Sequence, residues 1–104
     1  MRWLWALAVF LGLGLGRGYT VELVPYATTI LRFDEGVRYV ATGWPFVQVQ
    51  VLEGVMVLLR PLVREGGGEL WVMLQDGRQY RFYMEVNKEA KVARTYVFVG
   101  RTWR

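Results

Sequence analysis

Apolar and polar residues alternate along most of this chain, and the alternation is clearest near its middle. Tyr80, Phe82, Met84 and Val86 fall on one side of an extended segment, and Gln79, Arg81, Tyr83 and Glu85 on the other. A period of two is the signature of a strand with one buried face. Before it, Leu70, Val72 and Leu74 form a second apolar stripe, with Trp71 and Met73 loading the opposite side. A strand apolar on both faces is covered on both faces or has a partner. Asp76-Gly77 lies between the two runs, and the dipeptide suits the two φ > 0 positions of a type I′ hairpin turn.

Similar runs fill the rest of the chain. Tyr19–Val24 alternates and stops at Pro25, a residue confined to strand ends and edges. Ala27–Phe33 is β-branched and aromatic, and closes at Asp34-Glu35-Gly36, a turn cluster. Val37–Thr42 is broken by Gly43-Trp44-Pro45. Phe46–Leu52 points Val47, Val49 and Val51 one way and Gln48 and Gln50 the other, before a turn at Glu53-Gly54. Val55–Arg60 ends at Pro61, and Arg64-Glu65-Gly66-Gly67-Gly68 reads as a loose, flexible loop. Asn87-Lys88-Glu89 interrupts the pattern, and Lys91–Val99 carries the last alternation. Seven or eight short strands at this spacing predict an all-β fold, a small antiparallel β-sandwich or barrel.

The first residues differ. Met1-Arg2 precedes an uncharged apolar run from Trp3 to Leu15, then Gly16-Arg17-Gly18. The run falls short of the ~20 residues that cross a bilayer. It fits the apolar core of an export signal cleaved before Tyr19, with Gly16 and Gly18 as the small residues of the cleavage site. An uncleaved membrane anchor or a buried N-terminal helix are the other readings, although alternating glycines weaken a helix. The expected organisation is a signal or anchor over 1–18 and one β-domain over 19–104. That places the protein outside the cytoplasm, in the periplasm or outer envelope, with membrane contact through 1–18 if the segment stays.

Composition narrows the chemistry. The 104 residues carry a net charge of +4 and contain neither cysteine nor histidine, nor any serine. This excludes a disulfide framework, Cys/His zinc sites and Cys, Ser or His nucleophilic catalysis. Loss of Arg2 and Arg17 on cleavage lowers the charge to +2, less than nucleic-acid binding usually shows. Eleven arginines against two lysines, with a single asparagine, hint at a GC-rich, thermophilic source.

Adjacent Asp34 and Glu35 point apart in a turn and do not form an acid–base pair. Glu65 and Glu69 supply too few oxygens for calcium. Gly66-Gly67-Gly68 lacks the Lys-Ser/Thr of a phosphate loop. No catalytic, cofactor-binding or metal-binding residue is therefore expected. The sharper constellation is Tyr80-Arg81-Phe82-Tyr83 with Trp71, Arg78 and Arg94, since arginines among aromatics on a small β-domain can stack single-stranded bases; core aromatics with arginines on the wet face are the plainer reading. Trp44, on a loop, suits either a protein interface or a plug at the sandwich end. As edge strands pair readily, the candidate interface residues are Trp44, Trp71, Arg81, Tyr83, Tyr96 and Phe98.

In order, Pro25-Tyr26-Ala27-Thr28-Thr29-Ile30, Phe33-Asp34-Glu35-Gly36, Val37–Pro45, Phe46-Val47-Gln48-Val49, Leu59-Arg60-Pro61, Glu69-Leu70-Trp71-Val72 and Tyr80-Arg81-Phe82 resemble the N-terminal β-sandwich of the TrbG/CagX family. Members of that family are periplasmic components of type IV secretion core complexes, related in pattern to the N-terminal region of pilus and secretion secretins. The likeness spans about 60 residues, Tyr26 to Val86. Trp44 departs from it, standing where the family commonly has an acidic residue before proline. The resemblance does not extend to the family's lipoprotein-binding C-terminal domain. The resemblance implies a non-enzymatic assembly role without a cofactor. The expected function is thus an exported subunit of an envelope secretion, conjugation or pilus machine. Its partners are proteins, homo-oligomers among them, and nucleic acid is not expected. A single-strand-binding β-barrel and a self-assembling viral or surface-layer subunit are the alternatives.

Overall fold

A computed structural model describes residues 18–99. The expected export segment falls almost wholly outside those residues, as do residues 100–104. Eight strands follow in order: β1 (Gly18–Leu23), β2 (Thr29–Phe33), β3 (Val37–Thr42), β4 (Val47–Leu52), β5 (Met56–Pro61), β6 (Gly66–Leu74), β7 (Gln79–Val86) and β8 (Thr95–Phe98). They form two four-stranded sheets, β1-β7-β6-β3 and β4-β5-β2-β8. The chain crosses between sheets at every connection except the two hairpins, β4–β5 and β6–β7. The described fold is all-β and sandwich-like.

The alternating pattern is what makes this work. Leu70, Val72 and Leu74 of β6 and Phe82, Met84 and Val86 of β7 turn inward, and meet Leu31, Phe33, Val57 and Leu59 from the second sheet. Phe82, Leu59, Leu31, Val57 and Leu70 are fully buried. At one end the core is aromatic: Phe98 lies 5.1 Å from Phe82, 5.4 Å from Tyr19 and 5.5 Å from Phe33, centroid to centroid. Offset and edge-on ring pairs of this kind add about 0.5–1.5 kcal/mol each beyond their buried area.

Three features differ from the sequence-based expectation. The sandwich is mixed rather than antiparallel: β1 runs parallel to β7, and β8 parallel to β2. Both parallel strands come from the ends of the chain and add to sheets whose neighbouring strands are remote in sequence, so alternation carries no trace of their direction. Second, Asp76-Gly77 does not make a type I′ turn, because only Gly77 has positive φ, at 95°. Leu74 C=O accepts from Gly77 N–H at 3.0 Å, and Leu74 N–H donates to Arg78 C=O at 2.9 Å. That is a three-residue loop of the type I plus bulge kind. Two consecutive positive-φ residues occur instead at Glu53 (54°) and Gly54 (74°), between β4 and β5.

Third, Gly66-Gly67-Gly68 is not a loose loop. It is the start of β6 and pairs with Val86, Glu85 and Met84. A Cβ on Gly67 would collide with the backbone carbonyl oxygen of Met84, and one on Gly68 would lie 2.5 Å from Trp44 Cβ. These glycines allow close approach of a strand and a tryptophan, one of the uses of glycine inside a sheet.

Candidate interaction face

The outer face of the first sheet is set by register. Trp71 lies opposite Arg81, Glu69 opposite Tyr83, and Met73 opposite Gln79. On the other flank of β6, Tyr39 faces Met73 and Ala41 faces Trp71. A bulge between Val37 and Tyr39 sets the register of this strand. Beyond β7, Gly18, Thr20 and Glu22 lie beside Arg81, Tyr83 and Glu85. A Cβ on Gly18 would sit 2.6 Å from the Tyr83 ring, so the ring lies across the glycine.

The Arg81 guanidinium carbon is 5.4 Å from the Trp71 ring centroid and 5.2 Å from that of Tyr83. Each such contact is worth about 0.5–1 kcal/mol at an exposed site. The two rings are themselves open to solvent, at 40% and 38% exposure, and Tyr39 is 52% exposed. Arg81 Nε, by contrast, is buried and lacks a hydrogen-bond partner among the described residues. A buried N–H without an acceptor costs about 1–3 kcal/mol. The face therefore presents two exposed rings packed on one arginine, with Tyr39 further along the sheet beside Met73.

Its surroundings are acidic. A groove of about 430 Å³ beside it is lined by Glu22, Glu65, Glu85 and Glu89, with Lys88 and Asn87. Asn87 Nδ2 donates to Glu22 Oε2 at 2.6 Å, and Lys88 lies 3.8 Å from Glu65. These carboxylates are spread along the sheet; among the described residues no three acidic side chains are placed to share a metal ion. A second, smaller hollow of about 220 Å³ lies between Tyr39, Ala41, Trp71, Met73 and Gln79.

The residues singled out from the sequence separate in space. Trp71, Arg81 and Tyr83 come together. Tyr80 and Phe82 turn inward, where the Tyr80 ring is tilted against Phe33 at 5.4 Å and stacks on Phe82 at 6.0 Å. Tyr96 and Phe98 also face the interior: Phe98 joins the aromatic core, and Tyr96 Oη accepts from Glu22 N–H at 3.2 Å. The outward residues of that strand end are Val97 and Val99, 62% and 73% exposed. Trp44 is half-buried against the core and edge-on to Phe46 at 6.4 Å, with its N–H donating to Thr42 Oγ1 at 3.1 Å. Its ring lies over Gly66 and Gly68, the geometry of a plug at the sandwich end. Tyr39 escaped notice in the sequence because its place beside Trp71 depends on β3–β6 pairing across some thirty residues.

Arg78 and the turn carboxylates have a structural use. Arg78 Nη2 meets Asp34 Oδ1 at 2.7 Å, and Nε meets Asp76 Oδ2 at 2.9 Å, tying the β2–β3 turn to the β6–β7 hairpin. Its pKa lies above the ordinary arginine value: burial acts to lower it, and the hydrogen bonds to Asp34 and Asp76 outweigh that. Arg78 Nη1 also donates to Tyr80 Oη at 3.3 Å. Burial pushes the Tyr80 phenol above its usual value, against the opposing pull of Arg78. Arg94 is remote from the group, its carbonyl accepting from Ile30 N–H in the second sheet.

No known protein-family model matches this chain, and no curated protein shows recognisable sequence similarity to it.

Proposed function

We propose that this protein is an exported, non-catalytic assembly subunit of a cell-envelope secretion, conjugation or pilus machine, and that it works by docking a protein partner on the outer face of β6 and β7. The observation that carries the reading is Arg81 packed between two solvent-facing rings, Trp71 and Tyr83. Aromatic and arginine anchors of this kind dominate the energy of protein interfaces. The resemblance to the TrbG/CagX sandwich and the apolar N-terminal run support the envelope setting. The carboxylates around the patch disfavour a polyanion such as single-stranded nucleic acid on the same face, since its phosphates would meet Glu22, Glu69 and Glu85.

The test is affinity capture of the tagged full-length protein from the envelope of its source cell, beside an Arg81→Met variant. Recovery of secretion or pilus core proteins by the wild type and their loss in the variant is the expected outcome. Capture of the same proteins by both refutes the assignment of the face, and recovery of the protein alone refutes the assembly role.

A further inference from the structure

Among the described residues each sheet ends in two edge strands, and an edge pairs with other strands unless something blunts it. β1 is closed at Glu22 by the Tyr96 hydroxyl. β3 carries a bulge and an exposed arginine, Arg38, and β8 has only 4 residues. Among the described residues β4 has none of these protections. Phe46-Val47-Gln48-Val49-Gln50-Val51-Leu52 contains no charge, proline or glycine, which is the composition that favours strand-to-strand association.

Register shows which backbone groups are available there. Phe46 C=O accepts from Leu62 N–H at 2.9 Å, so that facing pair is a hydrogen-bonded one. Bonded and non-bonded pairs alternate along an antiparallel ladder. Gln48, Gln50 and Leu52 therefore bond to Arg60, Leu58 and Met56, whereas Val47, Val49 and Val51 turn their N–H and C=O groups to the open edge. Pro61, opposite Val47, agrees with this, since a non-bonded pair needs no N–H.

The segment Val47-Gln48-Val49-Gln50-Val51 reads the same in both directions. Antiparallel pairing with itself, centred on Val49, sets Val49 against Val49 of a second copy, Val47 against Val51, Gln48 against Gln50 and Phe46 against Leu52. Valines meet valines on one face, amides meet amides on the other, and no charges oppose. The pairing covers Phe46, Val51 and Leu52, now 50%, 45% and 42% exposed. It is two-fold and closed, as an isologous interface must be.

We infer that two copies of this chain join through their β4 edges in antiparallel register about Val49, which makes one continuous eight-stranded sheet from the two second sheets. This leaves the outer face of β6 and β7 free and does not depend on the function proposed for it.

The chain has no cysteine, so one introduced thiol reports the register directly. Residues facing each other in a bonded pair have Cα atoms about 5.5 Å apart, within the ~4.4–6.8 Å that a disulfide spans. Equivalent Val51 positions would be four residues out of register, roughly 13 Å apart. In cells expressing the full-length protein, oxidation with copper–phenanthroline should convert Val49→Cys to a disulfide dimer at least ~10-fold more completely than Val51→Cys. Adding Gln48→Glu and Gln50→Glu, both on the exposed face, should abolish the Val49→Cys dimer by setting like charges opposite one another across the seam, while position 48 faces Arg60 within the chain and the folded sheet keeps a favourable pair there. Absence of the Val49→Cys dimer, equal cross-linking at 49 and 51, mixed disulfides with other proteins in its place, or persistence of the dimer in the glutamate variant would each overturn the inference.

Discussion

Replacing Gly67 by alanine tests the seam between β6 and β7. The position carries no positive φ, so alanine is not disfavoured by its own backbone. The obstacle is across the ladder, where the new Cβ meets the carbonyl oxygen of Met84. A flexible side chain could swing away; a backbone carbonyl between Phe82 and Val86, both core residues, cannot move without parting the strands. Overpacking costs about 1–3 kcal/mol in general, and a rigid obstacle places this substitution in the upper half, about 2–3 kcal/mol. For a domain of this size each kcal/mol lowers the melting temperature by about 4–8 °C. The expected loss is therefore on the order of 10–20 °C, read by circular dichroism at fixed pH. Gly43→Ala is the control, because a Cβ there meets nothing within 4 Å, and it should stay within about 0.5 kcal/mol of the parent. A Gly67→Ala protein that melts with the parent would refute the paired strand and restore the loose loop.

Trp44→Ala should destabilise by about 2 kcal/mol, less than the ~3–5 kcal/mol of a fully buried tryptophan, because the ring is only half covered; an unchanged melt would mean that Trp44 does not plug the sandwich end. Tyr80 has a raised pKa in the folded state, so the folded protein keeps its proton longer than the unfolded chain. Its contribution to stability is complete below about pH 10, the ordinary tyrosine value, and is lost as pH rises through the higher folded value. The melting temperature should fall above pH 10 and fall less in Tyr80→Phe; identical slopes for both proteins would contradict this. Phe82→Ala, which empties a fully buried position, should cost about 3–5 kcal/mol by chemical denaturation, and a loss below 1 kcal/mol would contradict its central place in the core.

Much of the fold was legible in the sequence because it depends on local periodicity. The alternation of Tyr80–Val86 placed β7 and its buried face, and that of Phe46–Leu52 placed β4 to within one residue of the observed Val47–Leu52. Turn chemistry was less legible. Asp76-Gly77 and Glu53-Gly54 both offer glycine after an acidic residue, and the number of residues spanning the hairpin, set by pairing of Met73 with Gln79, decides which geometry forms. Gly66–Gly68 misled for a different reason: glycine signals freedom in isolation, and only the positions of Trp44 and Met84 reveal that space was the requirement. The candidate face was half legible. Trp71, Arg81 and Tyr83 follow from alternation on two adjacent strands, but the buried Nε of Arg81 and the addition of Tyr39 arise from side-chain packing and a long-range strand pair.

The most direct test of the central claim compares stability and partner capture in one variant. Arg81→Met removes two cation–π contacts worth about 1–2 kcal/mol together and a buried unsatisfied donor that costs about as much. Its melting temperature should stay within a few degrees of the parent. Capture of envelope core proteins should be lost if the arginine serves a partner rather than the fold. A variant that melts normally and still captures the same proteins would contradict the account, as would one that simply unfolds.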